Sequence, residues 1–184
     1  MTLTLIRHTA VDSPPGVCYG ISDVPLMASF VEESAIIMQK IDGAQFDIVY
    51  SSPLERCKKL SEQLFSHHTI YEDHRLVEMD FGEWEGEHWD TIYQSSEGKS
   101  WFNDYVNERC PNGESFITLI QRVRAFLVTL LKSRSNNAAI VTHAGVIRSI
   151  KSIILGISPH EIFKSPLPYG SITHLTLTPE SLSL

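Results

Sequence analysis

Apolar positions along this chain fall into runs of two alternating kinds. Short stretches rich in aliphatic and β-branched residues, Leu3 to Ile6, Phe46 to Ser51, Ala138 to His143 and Ser171 to Thr178, read as strands, with a weaker one near His68 to Tyr71. Between them, apolar residues recur every three or four positions over Ala28 to Ile41, Pro53 to Phe65, Glu114 to Lys132 and Gly145 to Leu155, which predicts helices. In the third of these, Phe116, Leu119, Ile120, Val123, Phe126, Leu127, Leu130 and Leu131 share one stripe, the pattern of a core face. Buried strands alternating with amphipathic helices predict an α/β fold, a three-layer sandwich whose mostly parallel central sheet is flanked by helices.

Glu72 to Cys110 departs from that rhythm. It mixes acids with Phe81, Trp84, Trp89, Trp101, Phe102 and Tyr105, and its pattern suggests two short helices forming an excursion at about 72–110 over the sheet edge. Such aromatics commonly pack into a small core of their own; the alternative is that they offer faces to a planar ligand.

Length and charge narrow the picture. At 184 residues the chain is expected to form a single domain, residues 1–184. Its 15 Lys and Arg against 22 Asp and Glu leave a net charge of -7 without a basic cluster, so nucleic acid is not an expected partner. An acidic protein that handles a small anion must gather its few cations in one pocket, which makes single arginines informative. Cys18, Cys57 and Cys110 are odd in number and lack metal-ligand spacing, the mark of ordinary reduced thiols rather than a disulfide framework or a zinc site. The first apolar run is too short for a signal peptide, and no run approaches the roughly 18 apolar residues of a membrane span; a cytoplasmic protein with no membrane partner is expected.

In open α/β sheets, ligands bind beyond the carboxyl ends of the strands. Three predicted strands end in polar residues: Arg7-His8, Ser51-Ser52 and Thr142-His143. Ser52 is a good helix cap and Pro53 suits a first helical position, so Arg56, one turn on, is placed to lean back toward this edge; otherwise it is an exposed helix arginine near Glu55. His143 precedes Ala144 and Gly145 at a helix start, either as a simple cap or as part of an anion site with the free N–H groups there. The stretch LVEMDFGEWEG adds Glu78, Asp80, Glu83 and Glu85, any one of which is a possible general acid, and spacing alone does not choose among them.

Taken together, LIRH, SSPLER, EMDFGEWEG and VTHAGVIR, in that order over about 150 residues, resemble the histidine phosphatase superfamily, which includes phosphoglycerate mutases and many phosphomonoesterases. The resemblance implies that His8 is the nucleophile, that Arg7, Arg56 and His143, with the backbone at Ala144, form the phosphate pocket, and that His143 and Glu78 serve the chemistry, Glu78 as proton donor. It implies the same α/β sandwich, a small phosphorylated metabolite as partner, and neither metal nor cofactor. A neutral imidazole attacks phosphorus and splits hydrolysis into two displacements through a phosphohistidine. Two guanidinium forks and a second imidazole, expected to be protonated, then balance the phosphoryl charge.

The chain departs from the family after the nucleophile. Thr9, Ala10, Val11 and Asp12 stand where Gly, Glu-Thr and a nearby Asn are usual, and Pro14-Pro15-Gly16 crowds the loop before CYGISDVPL resumes the pattern. Thr9, Tyr19 and Gly20 are therefore candidates for the substrate loop. The modest length, and EMDFGEWEG together with PNGESFITLIQRVRAFL, resemble the α-ribazole phosphatases of cobalamin nucleotide-loop assembly, which implies α-ribazole 5'-phosphate as substrate. A broad-specificity phosphatase, a phosphoglycerate-type mutase and a non-catalytic phosphate-binding module are the competing readings; the oligomeric state is not legible.

Overall fold

Strand β1 (Thr2–Arg7) shows how a period of two makes two faces. Leu3 and Leu5 pack on one side of the sheet and Ile6 on the other; β4 (Asn137–Thr142) divides Ala138 and Ile140 from Ala139 and Val141 in the same way. Both strands are buried on both faces, which accounts for their near-continuous apolar sequences. With β2 (Ile48–Ser51), β3 (Ile70–Glu72) and β5 (Ile172–Thr176) they form a five-stranded sheet of order β3-β2-β4-β1-β5, parallel except for β5, which runs antiparallel to β1. The computed structural model describes residues 1–182.

Helices α1 (Phe30–Lys40) and α2 (Glu55–Leu64) cover one face through Ile37, Cys57 and Leu60. The other face is covered by α5 (Phe116–Lys132) and α6 (Ala144–Leu155). The predicted stripe of α5 is buried from Phe116 to Leu130, each large side chain contributing about 1.5–3 kcal/mol of burial. A reciprocal bond pair between Ser115 and Thr118 starts that helix, two residues later than its periodicity suggested. The excursion holds α3 (Trp89–Gln94) and α4 (Ser96–Asn103), the two short helices expected there, while α7 (Pro159–Ile162) was not foreseen. No helix among the described residues is long and apolar enough to cross a membrane.

Register brings the strand ends together. Arg7 lies opposite Thr142 across the β1–β4 pair, and Ser51 opposite Val141 across β2–β4, so three adjacent strands finish at one level. Backbone bonds continue one residue further, from His8 N–H to Thr142 O at 3.0 Å and from Ser52 N–H to Val141 O at 2.9 Å. The first loop residues after each strand therefore remain in fixed positions.

Candidate active site

His8 is 2% exposed, and its Nδ1 lies 2.7 Å from Thr9 O. A carbonyl only accepts, so Nδ1 carries the proton and Nε2 keeps its lone pair. Burial, then the Arg56 charge, lower its pKa to about 3, against a smaller opposing effect of the Thr9 bond and with further lowering by Arg7. The imidazole is therefore neutral across the ordinary pH range.

Around it lies a cavity of about 160 Å³ lined by Arg7, His8, Arg56 and Glu78, with Val17, Tyr19, Phe81 and Trp89 completing the wall. Arg56 is fully buried and donates to the carbonyls of Gly20 and, at 2.8 Å, Ser22, while its Nε–H donates to His143 Nδ1 at 3.3 Å. Arg7 donates to Leu167 O and stacks its guanidinium on Tyr169, 3.9 Å from the ring centre; its buried Nε has no hydrogen-bond partner among the described residues. Two guanidinium groups thus converge on one small cavity from different elements.

His143 lies edge-on to His8, ring centres 5.1 Å apart. With Nδ1 accepting from Arg56, its Nε2–H donates to Ser52 Oγ at 2.8 Å. Burial first, then the Arg56 charge, the proximity of a second titratable ring in His8, and the Arg122 and Arg7 charges push its pKa well below the usual histidine value. The expected protonated imidazole is therefore neutral in this structure, because a fully enclosed ring beside arginines has no reason to take up a further charge. The Ser52 hydroxyl serves this ring and does not cap α2, which begins at Glu55 with Leu54 at its cap position.

Of the four loop carboxylates, only Glu78 reaches this cavity. Its oxygens accept from Met79 N–H and from Gly145 N–H, both at 3.0 Å. Asp80 instead accepts from Gly82 N–H at 2.8 Å, and Glu83 from the Asn112 side chain at 2.5 Å. Glu85 accepts from the backbone of Gly20, Ile21, Ser22 and Phe81; burial raises its pKa, but these bonds outweigh it and hold the carboxyl below its ordinary value. Glu85 is thus the anchor of the loop whose carbonyls hold Arg56. Gly20 in that loop lies so close to the Met79 carbonyl that a Cβ has no room, which explains a glycine at this point.

The remaining candidates divide. Tyr19 lines the cavity, and its hydroxyl meets that of Tyr169 at 2.5 Å. Thr9 is buried, with an Oγ1 that has no partner among the described residues. Ala144 lines a neighbouring cavity and not this one. Trp84 is core, packed edge-on to Trp101, so it has no face free for a ligand, whereas Trp89 lines the site itself.

Sequence reasoning missed two supports. Tyr169 arrives from the turn before β5, and the Pro168-Tyr169-Gly170 run was its only signal. Arg122 of α5 pairs with Glu114 at 2.8 Å and donates to the carbonyls of Arg75, Val77 and Glu78, so the NGE…RV pattern clamps the backbone that carries Glu78. Among the described residues no group of three or more His, Cys, Asp or Glu is placed to hold a metal ion.

Comparison with known proteins shows the family and the fold. The family model described as histidine phosphatase superfamily (branch 1) matches residues 3–184. The adenosylcobalamin/alpha-ribazole phosphatase of Escherichia coli K12 is 31% identical over 162 residues, 85% of this chain and 80% of that protein. The alpha-ribazole phosphatase of Shigella flexneri superposes with a TM-score of 0.89 at 27% identity, covering 98% of this chain and 92% of the other. A phosphoserine phosphatase from Entamoeba histolytica, solved with 3-phosphoglyceric acid, gives 0.81 at 25% identity, covering 94% and 89%.

Proposed function

The chain belongs to the histidine phosphatase superfamily and is a phosphatase, and on that premise we propose that it hydrolyses small phosphomonoesters through a phosphohistidine on His8. The observation that carries this reading is the fixed tautomer of His8: Nδ1–H is held by Thr9 O, so a neutral Nε2 lone pair faces a cavity shared with two arginines and one carboxyl.

In the first step, Nε2 attacks phosphorus and the P–O ester bond breaks; Arg7 and Arg56 stabilise the phosphoryl oxygens, and Glu78 protonates the departing oxygen. In the second step, water attacks the phosphorus, gives its proton to Glu78, and the P–N bond breaks, returning neutral His8. Thr9 O stabilises Nδ1–H while the ring is phosphorylated. His143 acts through Arg56, whose Nε it holds, and Tyr19, its hydroxyl paired with that of Tyr169, forms part of the cavity wall. These two arginines supply the positive charge, so the mechanism calls for no metal.

The preferred substrate under this reading is α-ribazole 5'-phosphate, a small cytoplasmic metabolite. It is supported by similarity to alpha-ribazole phosphatases over most of the chain and by the aromatic walls beside the site. The test is rapid quenching during turnover, with phosphate expected on a His8 nitrogen and lost in His8→Ala, together with kcat/KM for α-ribazole 5'-phosphate, phosphoserine, 3-phosphoglycerate and a purine 5'-monophosphate. Normal turnover by His8→Ala rejects the mechanism. Equal kcat/KM values reject the substrate, and isomerisation of 3-phosphoglycerate in place of hydrolysis makes the protein a mutase.

A further inference from the structure

Beside the phosphate cavity lies a larger one of about 440 Å³ that shares Glu78 and Phe81 with it. That volume lies within the ~300–1,000 Å³ usual for small-molecule sites. Trp101, Phe102, Tyr105, Phe116 and Phe163 supply most of its wall. The charged side chains at its surface are Glu78, at the junction with the first cavity, and Arg148.

Arg148 has no place in the phosphoryl chemistry above. It stands one turn along α6 from Ala144, so the helix that starts at the phosphate edge also directs this guanidinium into the aromatic chamber. The group lies 4.9 Å from the centre of the Phe163 ring, and its buried Nε finds no hydrogen-bond partner among the described residues. Trp101 presents a second buried donor, Nε1, also without a partner among them. Burial, and then the nearby Arg7 charge, hold the Arg148 pKa below the ordinary arginine value. The Arg148 Nε and Trp101 Nε1 are both closed to solvent, so the part of the Arg148 side chain that lines the chamber, charged and set against aromatic walls, is what favours a ligand bringing an acceptor.

We propose that this chamber is the leaving-group site, that it takes a planar apolar group carrying a hydrogen-bond acceptor, and that Arg148 is the specificity-determining residue that reads the acceptor. The proposal rests on the phosphomonoesterase reading and adds what the alcohol half of the ester looks like. Glu78 lines both cavities, so an ester with its phosphate against His8 and its body in the chamber has its bridging oxygen at the proton donor. A ring nitrogen, as in a benzimidazole, and a carboxylate both provide the acceptor.

The test compares 2-naphthylmethyl phosphate with the isomeric quinolinylmethyl phosphates, in which one ring CH becomes N, and with a carboxynaphthylmethyl phosphate, using the full chain. One acceptor-bearing ester should exceed the naphthyl ester by about tenfold or more in kcat/KM, mainly through KM, since a site built around a hydrogen bond rejects the analogue that lacks it. Whether the nitrogen or the carboxylate gains tells a neutral acceptor from an anionic one. Arg148→Met should bring the ratio close to one, and Arg148→Lys should restore part of any carboxylate preference. If Arg148→Met does not fold, the wild-type ratio alone still decides. Equal turnover of all the esters, or a preference that survives Arg148→Met, overturns the chamber proposal and leaves the phosphatase reading standing. Failure to hydrolyse any of them or p-nitrophenyl phosphate, with no phosphohistidine trapped, overturns both.

Discussion

At the scale of single residues, the chemistry depends on keeping an imidazole neutral and aimed. Burial and two arginine charges make protonation of His8 costly, and the Thr9 carbonyl selects the nitrogen that keeps its lone pair. The same physics has a consequence for stability. An unfolded histidine takes a proton below pH of about 6.5, whereas the folded one refuses it down to about 3, so the contribution of His8 is complete above the first value and declines as pH falls toward the second. At pH 4.5 the loss amounts to about 2–3 kcal/mol. Urea unfolding of wild type and His8→Asn at pH 7.5 and 4.5 should therefore show the difference between them moving by that amount in favour of the variant on acidification. An unchanged difference would mean that His8 is protonated in the folded protein.

Among the elements, α6 does the most for the site. Its first turn supplies the Gly145 N–H that holds Glu78, and its second turn supplies Arg148. A Cβ on Gly145 would fall 2.2 Å from Glu78 Oε1, and the carboxylate, as the free end of a flexible side chain, moves before the helix does. Gly145→Ala should accordingly leave the fold intact while displacing the proton donor. General acid catalysis is worth about 10²- to 10⁴-fold, so hydrolysis of an alkyl phosphate should fall within that range while p-nitrophenyl phosphate, whose leaving group needs little help, loses far less. Steady-state kcat on both substrates, with circular dichroism as the folding control, checks this; equal losses would move the proton donor away from Glu78. Helix α5 makes a complementary contribution, since Arg122 clamps the carbonyls on either side of the Glu78 turn.

On the scale of the whole molecule, an acidic chain of net charge -7 builds a local positive site by convergence. Arg7 comes from the end of β1 and Arg56 from the start of α2, and the loops that hold them are fixed by Glu85 and by the turn at Leu167. With the charge that stabilises phosphoryl oxygens covalently attached to the fold, a chelator such as EDTA should leave kcat/KM unchanged. Vanadate, which adopts the five-coordinate geometry of phosphoryl transfer, should inhibit in competition with substrate. Loss of activity on chelation with recovery on adding magnesium would contradict this account of the site.

The sequence by itself determined the layers, because a period of two in the strands and of about 3.6 in the helices decides which side chains face inward whatever the rest of the chain does. It also brought Arg7, His8, Ser52 and His143 to one edge, since the ends of parallel strands share an edge. Residue spacing left open which of four neighbouring carboxylates enters the cavity, though the family resemblance pointed to Glu78; only the tertiary structure decided that Ser52 serves His143 and not a helix end, that His143 is neutral, and that Arg148 turns into an aromatic chamber. Each of these depends on partners far apart along the chain, as when Ser52 meets His143 across 91 positions and Arg7 meets Leu167 across 160. Desolvation likewise belongs to a packed neighbourhood, and no local pattern of residues encodes it.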